Sequence, residues 1–148
     1  TSGALGTAWA WYMLAPNWKG IFPSGSPAGS YNDVTSKGPT GAPLLRKVAV
    51  LMTDGGYNTL RAWKDQDQHY ASDGAAKLCS AMKAKGIEVY TVAFALNELP
   101  VAEQALARKT LQDCGSDVSH FYETLTVADL KAAFPDIAVQ LTAVYLKL

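Results

Sequence analysis

Residues 46–58, RKVAVLMTDGGYN, constrain the fold more than any other stretch. Val48, Ala49, Val50, Leu51 and Met52 form an unbroken apolar run. A strand buried on both faces reads this way, because helices cover it above and below. The run ends in Thr53-Asp54-Gly55-Gly56. A carboxylate at the carboxyl end of such a strand, followed by glycines, sits where open α/β sheets place their ligands. Asp-Gly also opens ordinary turns, so on this stretch alone both readings stand.

The chain on either side supplies what such a strand needs. Residues 72–85 read as a helix, with Ala75, Leu78, Cys79 and Met82 on one apolar stripe. Ser72 or Asp73 can cap its first amides, and Lys83 and Lys85 lie near the negative end of its dipole. Gly86 supplies a left-handed exit. Residues 87–94, IEVYTVAF, then read as a second strand. Helix, glycine and strand in close succession make the αβ half of a parallel unit. Residues 97–113 carry another helix, started by Pro100, with a weaker stripe of Ala102, Ala105, Leu106 and Lys109. Residues 119–123 form a short strand. Thr126 and Asp129 make a helix-entry box. Leu130, Ala133, Phe134, Ile137, Ala138 and Leu141 continue a helical stripe in which Pro135 predicts a kink or a break. Residues 144–148 read as a final short strand or a frayed helix end.

At the other end, residues 4–14 predict a largely buried helix closed by Pro16, with Trp9, Tyr12 and Met13 sharing a face. Its aromatics read as packing, since no basic residues interleave them. Residues 17–43 are dominated by Gly, Pro and Ser and hold no period. Such chain cannot become a core element. It is too long for a routine connection, so it is a functional surface loop or partly disordered, pinned by Trp18, Phe22 and Tyr31. Residues 57–70 read as a solvated polar loop; Asp65, Asp67 and His69 lack EF-hand spacing.

The 148 residues suit one domain with one core. A formal net charge of zero gives no electrostatic case for nucleic acid or an anionic membrane. No apolar run approaches the ~20 residues that cross a bilayer. The chain opens on Thr1 without a signal peptide or an initiator Met, which predicts a piece of something longer. Cys79 and Cys114 lie far apart without CxxC spacing. They are a disulfide in an oxidising compartment or two buried thiols in a reducing one.

Taken together, the blocks TSGALGTAWAWYMLAP, VAVLMTDGGYN, AAKLCSAMKAKGIEVYTVAFAL, LQDCGSDVSHFYE and LKAAFPDIAVQL resemble the von Willebrand factor A domain of TadG-like pilus-assembly proteins. These are bacterial envelope proteins of the tight-adherence (Flp pilus) system. The resemblance covers nearly the whole chain and is least constrained in 17–43. It implies a Rossmann-like, doubly wound, mainly parallel α/β sheet with helices on both faces, in strand order 3-2-1-4-5-6. This chain would supply the 4-5-6 side, as a single domain over 1–148 lacking its N-terminal part. Strand 47–53 would then be a long apolar edge, paired by the missing N-terminal half or by a second copy.

The resemblance also implies a metal-ion-dependent adhesion site, built in that family from a DxSxS sequence, a threonine and an aspartate. Asp54 matches the aspartate and Thr1 the threonine, with Gly55 and Gly56 allowing close approach. DxSxS does not occur in this sequence. Mg²⁺ (or Mn²⁺ or Ca²⁺) needs more oxygen ligands than Asp54 and Thr1 provide. Cys79 and Cys114 match two family cysteines, which implies a disulfide between them. The implied location is the cell envelope, periplasmic or extracellular, with a membrane anchor upstream.

The expected function is therefore non-enzymatic: an adhesion module that binds a pilin, another pilus-assembly protein or an adhesion target through the Mg²⁺ site. The alternative is a metal-free structural scaffold of the pilus machinery that uses the 17–43 loop. A hydrolase is the least favoured reading. GxSxG, GxGxxG and P-loop motifs are absent, and neither His69 nor His120 has an evident nucleophile beside it.

Overall fold

A computed structural model describes residues 2–18, 20–21, 28–57 and 68–143. Three strands, β1 (Lys47–Thr53), β2 (Ile87–Phe94) and β3 (Phe121–Thr124), form one all-parallel sheet in the order β1-β2-β3. The helices are α1 (Gly3–Leu14), α2 (Asn32–Thr35), α3 (Gln68–Ala84), α4 (Val101–Cys114) and α5 (Val127–Ala143). The fold is α/β and Rossmann-like in outline. β1 and β2 span the residues their composition predicts. β3 starts two residues later than expected, because residues 118–120 turn as a short 3-10 helix.

Alternation along the strands sorts the core between two faces. Ala49, Leu51, Ile87 and Val89 pack on Cys79 and Met82 of α3 and Cys114 of α4. Tyr90 and Val92 point the other way, onto Ile137 of α5, with Leu130 and Leu141 alongside. Helices therefore cover both faces of β2. Gly86 leaves α3 at φ 75°, as expected for a left-handed exit, and an added Cβ there would lie 2.7 Å from Val34. Cys79 and Cys114 form a disulfide joining α3 to α4, with Cα atoms 5.0 Å apart.

Several expectations from the sequence need correction. α1 is not largely buried: of its residues only Thr7 is buried, while Leu5, Trp9, Tyr12 and Met13 are exposed. One side of the helix packs on α3 and β1; beyond β1 no further strand lies among the described residues to receive the rest. For the same reason β1 is not covered on both faces, and Val50 and Met52 are 41% and 49% exposed. α3 begins at Gln68, inside the stretch read as a polar loop, so Ser72 is a buried residue of its first turns and not a cap. Tyr57, read as loop, is buried against Ala71 and Ala75 of that helix.

The inward face of α4 is Ala107, Thr110, Leu111 and Cys114, not the stripe through Ala102 and Lys109. The disulfide fixes which side of that helix turns inward. α5 runs unbroken through Pro135. The proline lacks the amide that would bond Lys131, and Lys131 is solvent-exposed, so water can satisfy its carbonyl. Phe134 and Ala138 of the expected α5 stripe are exposed. The Thr126–Asp129 box forms as expected: the Thr126 amide donates to Asp129 Oδ2 at 2.9 Å and the Asp129 amide to Thr126 Oγ1 at 3.2 Å. The possible final strand 144–148 lies outside the described residues.

Within 17–43, α2 and a bridge between Lys37 and Pro43 give local order. Tyr31 pins the segment to the core: its hydroxyl accepts a 2.8 Å bond from Trp11 Nε1, and Lys47 Nζ lies 5.1 Å from its ring centre. Trp18 stacks on Tyr12 with centroids 4.9 Å apart. Phe22 lies outside the described residues.

Candidate functional site

β1 delivers Asp54 to the carboxyl end of the sheet, where it is exposed. The turn after the strand is held by Thr53, whose Oγ1 accepts from the Gly55 amide at 3.2 Å and donates to the Gly55 carbonyl at 2.9 Å. Asp54 stands at the head of a groove of about 710 Å³ that runs down the free side of β1. Gly3, Gly6, Thr7 and Ala10 of α1 form one wall. Phe94, with Val127 and Leu130 of α5, forms the other. Tyr57 closes the groove near α1, and Gly3 is required there: an added Cβ would lie 2.1 Å from the Tyr57 ring. Burial pushes the Tyr57 phenol above its usual range, against the opposing hydrogen bond with Thr7.

The donor set is poor for a divalent cation. Among the described residues, Asp54 is the only carboxylate lining the groove. Of the hydroxyls lining the groove, Thr53 bonds Gly55 and Thr7 donates to the Gly3 carbonyl at 2.9 Å. No group of three His, Cys, Asp or Glu side chains placed to hold a metal occurs among the described residues. These residues do not fit a resident Mg²⁺, which needs near-octahedral oxygen coordination. Thr1, the other expected ligand, lies outside the described residues, as do Asp65 and Asp67. Gly55 and Gly56 follow Asp54 in the turn and are half-buried.

A second polar cluster, which the sequence reading missed, sits at the opposite, amino end of the strands. Glu88 on β2 accepts hydrogen bonds from Arg46, from Tyr90 Oη at 3.0 Å and from His120 Nε2 at 3.0 Å. The other ring nitrogen of His120 lies 2.8 Å from Asp117 Oδ1. Arg46 also donates to the Leu141 carbonyl at 2.6 Å, so the cluster ties β1, β2, the start of β3 and α5 together.

Burial opposes charge on His120, but the hydrogen bonds and charges of Glu88 and Asp117 outweigh it and raise its pKa. Burial would raise Glu88, yet its bonds from His120, Arg46 and Tyr90 hold it below the usual carboxylate range. Bonds from Ser119 and His120 bring Asp117 down to about 2. Burial and the neighbouring Glu88 push the Tyr90 phenol up to about 12. Ser119 directs its hydroxyl to Asp117 at 2.6 Å. Ser119 Oγ also lies 3.3 Å from His120 Nδ1, but its hydroxyl donates to the Asp117 carboxylate. One signal was available in the sequence: Glu88 alternates with Ile87 and Val89 in a buried strand, and a carboxylate there demands cationic partners.

Comparison of the chain with family models, with curated proteins and with solved structures finds no match. No helix among the described residues is long and apolar enough to cross a membrane.

Proposed function

We propose that this chain is a non-enzymatic protein-binding module of the bacterial cell envelope, of the von Willebrand factor A type found in TadG-like pilus-assembly proteins. It meets its partner at the carboxyl end of β1. The observation that carries the reading is Asp54, exposed at the tip of a parallel strand, beside two glycines and at the head of an open groove. Open α/β sheets bind ligands at that end. The Cys79–Cys114 disulfide is compatible with an extracytoplasmic location. The non-enzymatic reading draws support from the position of His120, which faces Glu88 and Asp117 at the other end of the sheet, away from Asp54.

In the encoding bacterium, Asp54→Ala should abolish pilus-dependent surface attachment while the protein level stays unchanged. Normal attachment with full-level variant protein defeats the reading. A cation-dependent form would need ligands beyond the described residues. Calorimetry with Mg²⁺ or Mn²⁺ on wild type and Asp54→Ala tests that form separately; equal heats rule it out. The metal-free scaffold reading draws support from one feature, the surface cluster of Trp9, Tyr12 and Trp18, whose rings lie 4.9–6.3 Å apart. Loss of attachment on Trp9→Ala, with Asp54→Ala unaffected, would favour it.

A further inference from the structure

We infer that the aromatic groove where the carboxyl ends of α1 and α3 meet is a binding site for a sugar residue that carries a carboxylate. This goes beyond the Asp54 reading. The groove stands at the amino end of the strands, where Lys47, the first residue of β1, bonds the Leu14 carbonyl, and it needs no cation.

The groove holds about 420 Å³ and is lined by Trp11, Tyr12, Asn17, Trp18, Tyr31 and Lys85. Small-ligand clefts run roughly from 300 to 1,000 Å³ and combine aromatic walls with a few placed polar groups. It lies on the flank of α1 that faces α3, so it does not depend on what adjoins β1. Tyr12 and Trp18 stack with their planes 22° apart, and Trp9 stands at 84° to Tyr12 beside them. Trp9 and Tyr12 are 54% and 41% exposed, although packing could have hidden such large side chains. Tyr31 is fixed by the bond from Trp11 Nε1, so this wall is formed before any ligand arrives.

The charge of the groove selects the ligand. No basic residue interleaves the aromatics in the local sequence, but the end of α3 brings Lys85 beside them. Lys85 Nζ lies 6.0 Å from the centre of the Tyr31 ring, and Lys47 Nζ lies 5.1 Å from it. Lys47 is taken up: it donates to the Leu14 carbonyl at 2.7 Å and feels the charge of Asp33. The exposed Lys85 ammonium and the exposed Asn17 side-chain amide have no hydrogen-bond partner among the described residues. No carboxylate lines the groove among those residues, so its one ionic group is a cation.

A carboxylated pyranose matches each feature. Its C–H face covers an aromatic ring, its hydroxyls meet the Asn17 amide, and its carboxylate takes a charge-assisted bond from Lys85. A quaternary ammonium also suits an aromatic wall, but Lys85 repels it. A proline-rich segment suits aromatic grooves too, but presents only neutral carbonyls to the lysine. Single-stranded nucleic acid stacks on aromatics but follows a basic track, and this lining holds one lysine. The disulfide is compatible with the cell exterior, where acidic polysaccharides occur.

The experiment is isothermal titration calorimetry in EDTA with oligosaccharides of galacturonate, glucuronate and N-acetylneuraminate, and with their methyl esters. The proteins are the wild-type chain, Trp18→Ala, Lys85→Gln, Lys85→Arg and Lys131→Gln, the last removing the same charge from the exposed side of α5. Saturable binding of at least one acidic oligosaccharide is expected. It should weaken about tenfold in Trp18→Ala, in Lys85→Gln and on methyl esterification, and should persist in Lys85→Arg and Lys131→Gln. Lys85→Gln should melt with the wild type, which keeps the test decisive if Trp18→Ala is unstable.

Binding of none of the acidic oligosaccharides overturns the proposal, as does equal binding of the esters or undiminished binding by Lys85→Gln. Tighter binding of polyproline or of oligothymidylate, lost in the same variants, also overturns it and assigns the groove to that class. Asp54 is intact and cations are removed throughout, so failure here leaves the Asp54 reading standing, and failure of the Asp54 test leaves this one standing.

Discussion

The Glu88–His120 pair should make this protein less stable as pH rises above the ordinary histidine range. His120 has a raised pKa in the folded chain and about 6.5 when unfolded. A raised folded pKa contributes stability that is complete below the unfolded value and is lost as pH rises through the folded value. The groups facing the ring are Glu88, Asp117, Ser119 and Tyr90, with Arg46 behind Glu88. Glu88 and Asp117 are held low and Tyr90 is pushed up to about 12, so among the carboxylates and the phenol none changes charge between pH 6 and about 9. The His120 and Glu88 side chains are 11% and 24% exposed, which limits screening by solvent.

A hydrogen bond to a charged group contributes about 1.5–3 kcal/mol. Neutralising the ring weakens the Glu88 bond without removing it, so a fall of about 1–2 kcal/mol is expected. At a slope near 2 kcal/mol/M this lowers the urea midpoint by roughly 0.5–1 M. Urea titration followed by tryptophan fluorescence at pH 6, 7, 8 and 9 reads it directly. His120→Gln should be less stable than wild type at pH 6 and should lose the slope. His69→Gln, which removes the other of the two histidines, should keep it. A wild-type midpoint that is flat or rising above pH 6.5, or an unchanged slope in His120→Gln, refutes the reasoning.

Two further outcomes concern the frame around the site. Cys79→Ala with Cys114→Ala should cost about 4 kcal/mol in the chain-entropy model, since the bridge spans 35 residues, and dithiothreitol should lower the wild-type melting temperature comparably; an unchanged melting temperature in both would mean the crosslink constrains nothing. Gly86→Ala should destabilise by about 2 kcal/mol from the left-handed backbone and the approach to Val34, with part of the loss recovered in a Val34→Ala background; a stabilised Gly86→Ala protein would contradict the backbone assignment.

Local pattern was enough to find the elements and some of their punctuation. The apolar run of β1, the β-branched run of β2, Gly86 and the Thr126–Asp129 box are written in neighbouring residues, because backbone conformation and side-chain alternation are set by near neighbours. The start of α3 escaped because its first residues, Gln68 to Tyr70, carry no apolar stripe of their own. The α4 stripe was misread because alanines on its outer side match the helical period as well as those within.

Lateral arrangement was decided only in three dimensions. A continuous apolar run shows that a strand is suited to burial, but how many neighbours it has depends on chain far away in sequence. Here it leaves β1 at the margin of the described sheet, α1 half uncovered and a groove between them. Glu88 and His120 likewise lie 32 residues apart, and Arg46 42 residues from Glu88. No periodicity links them; they meet because parallel pairing brings the amino ends of three strands to one place, where a buried carboxylate must be surrounded by cations.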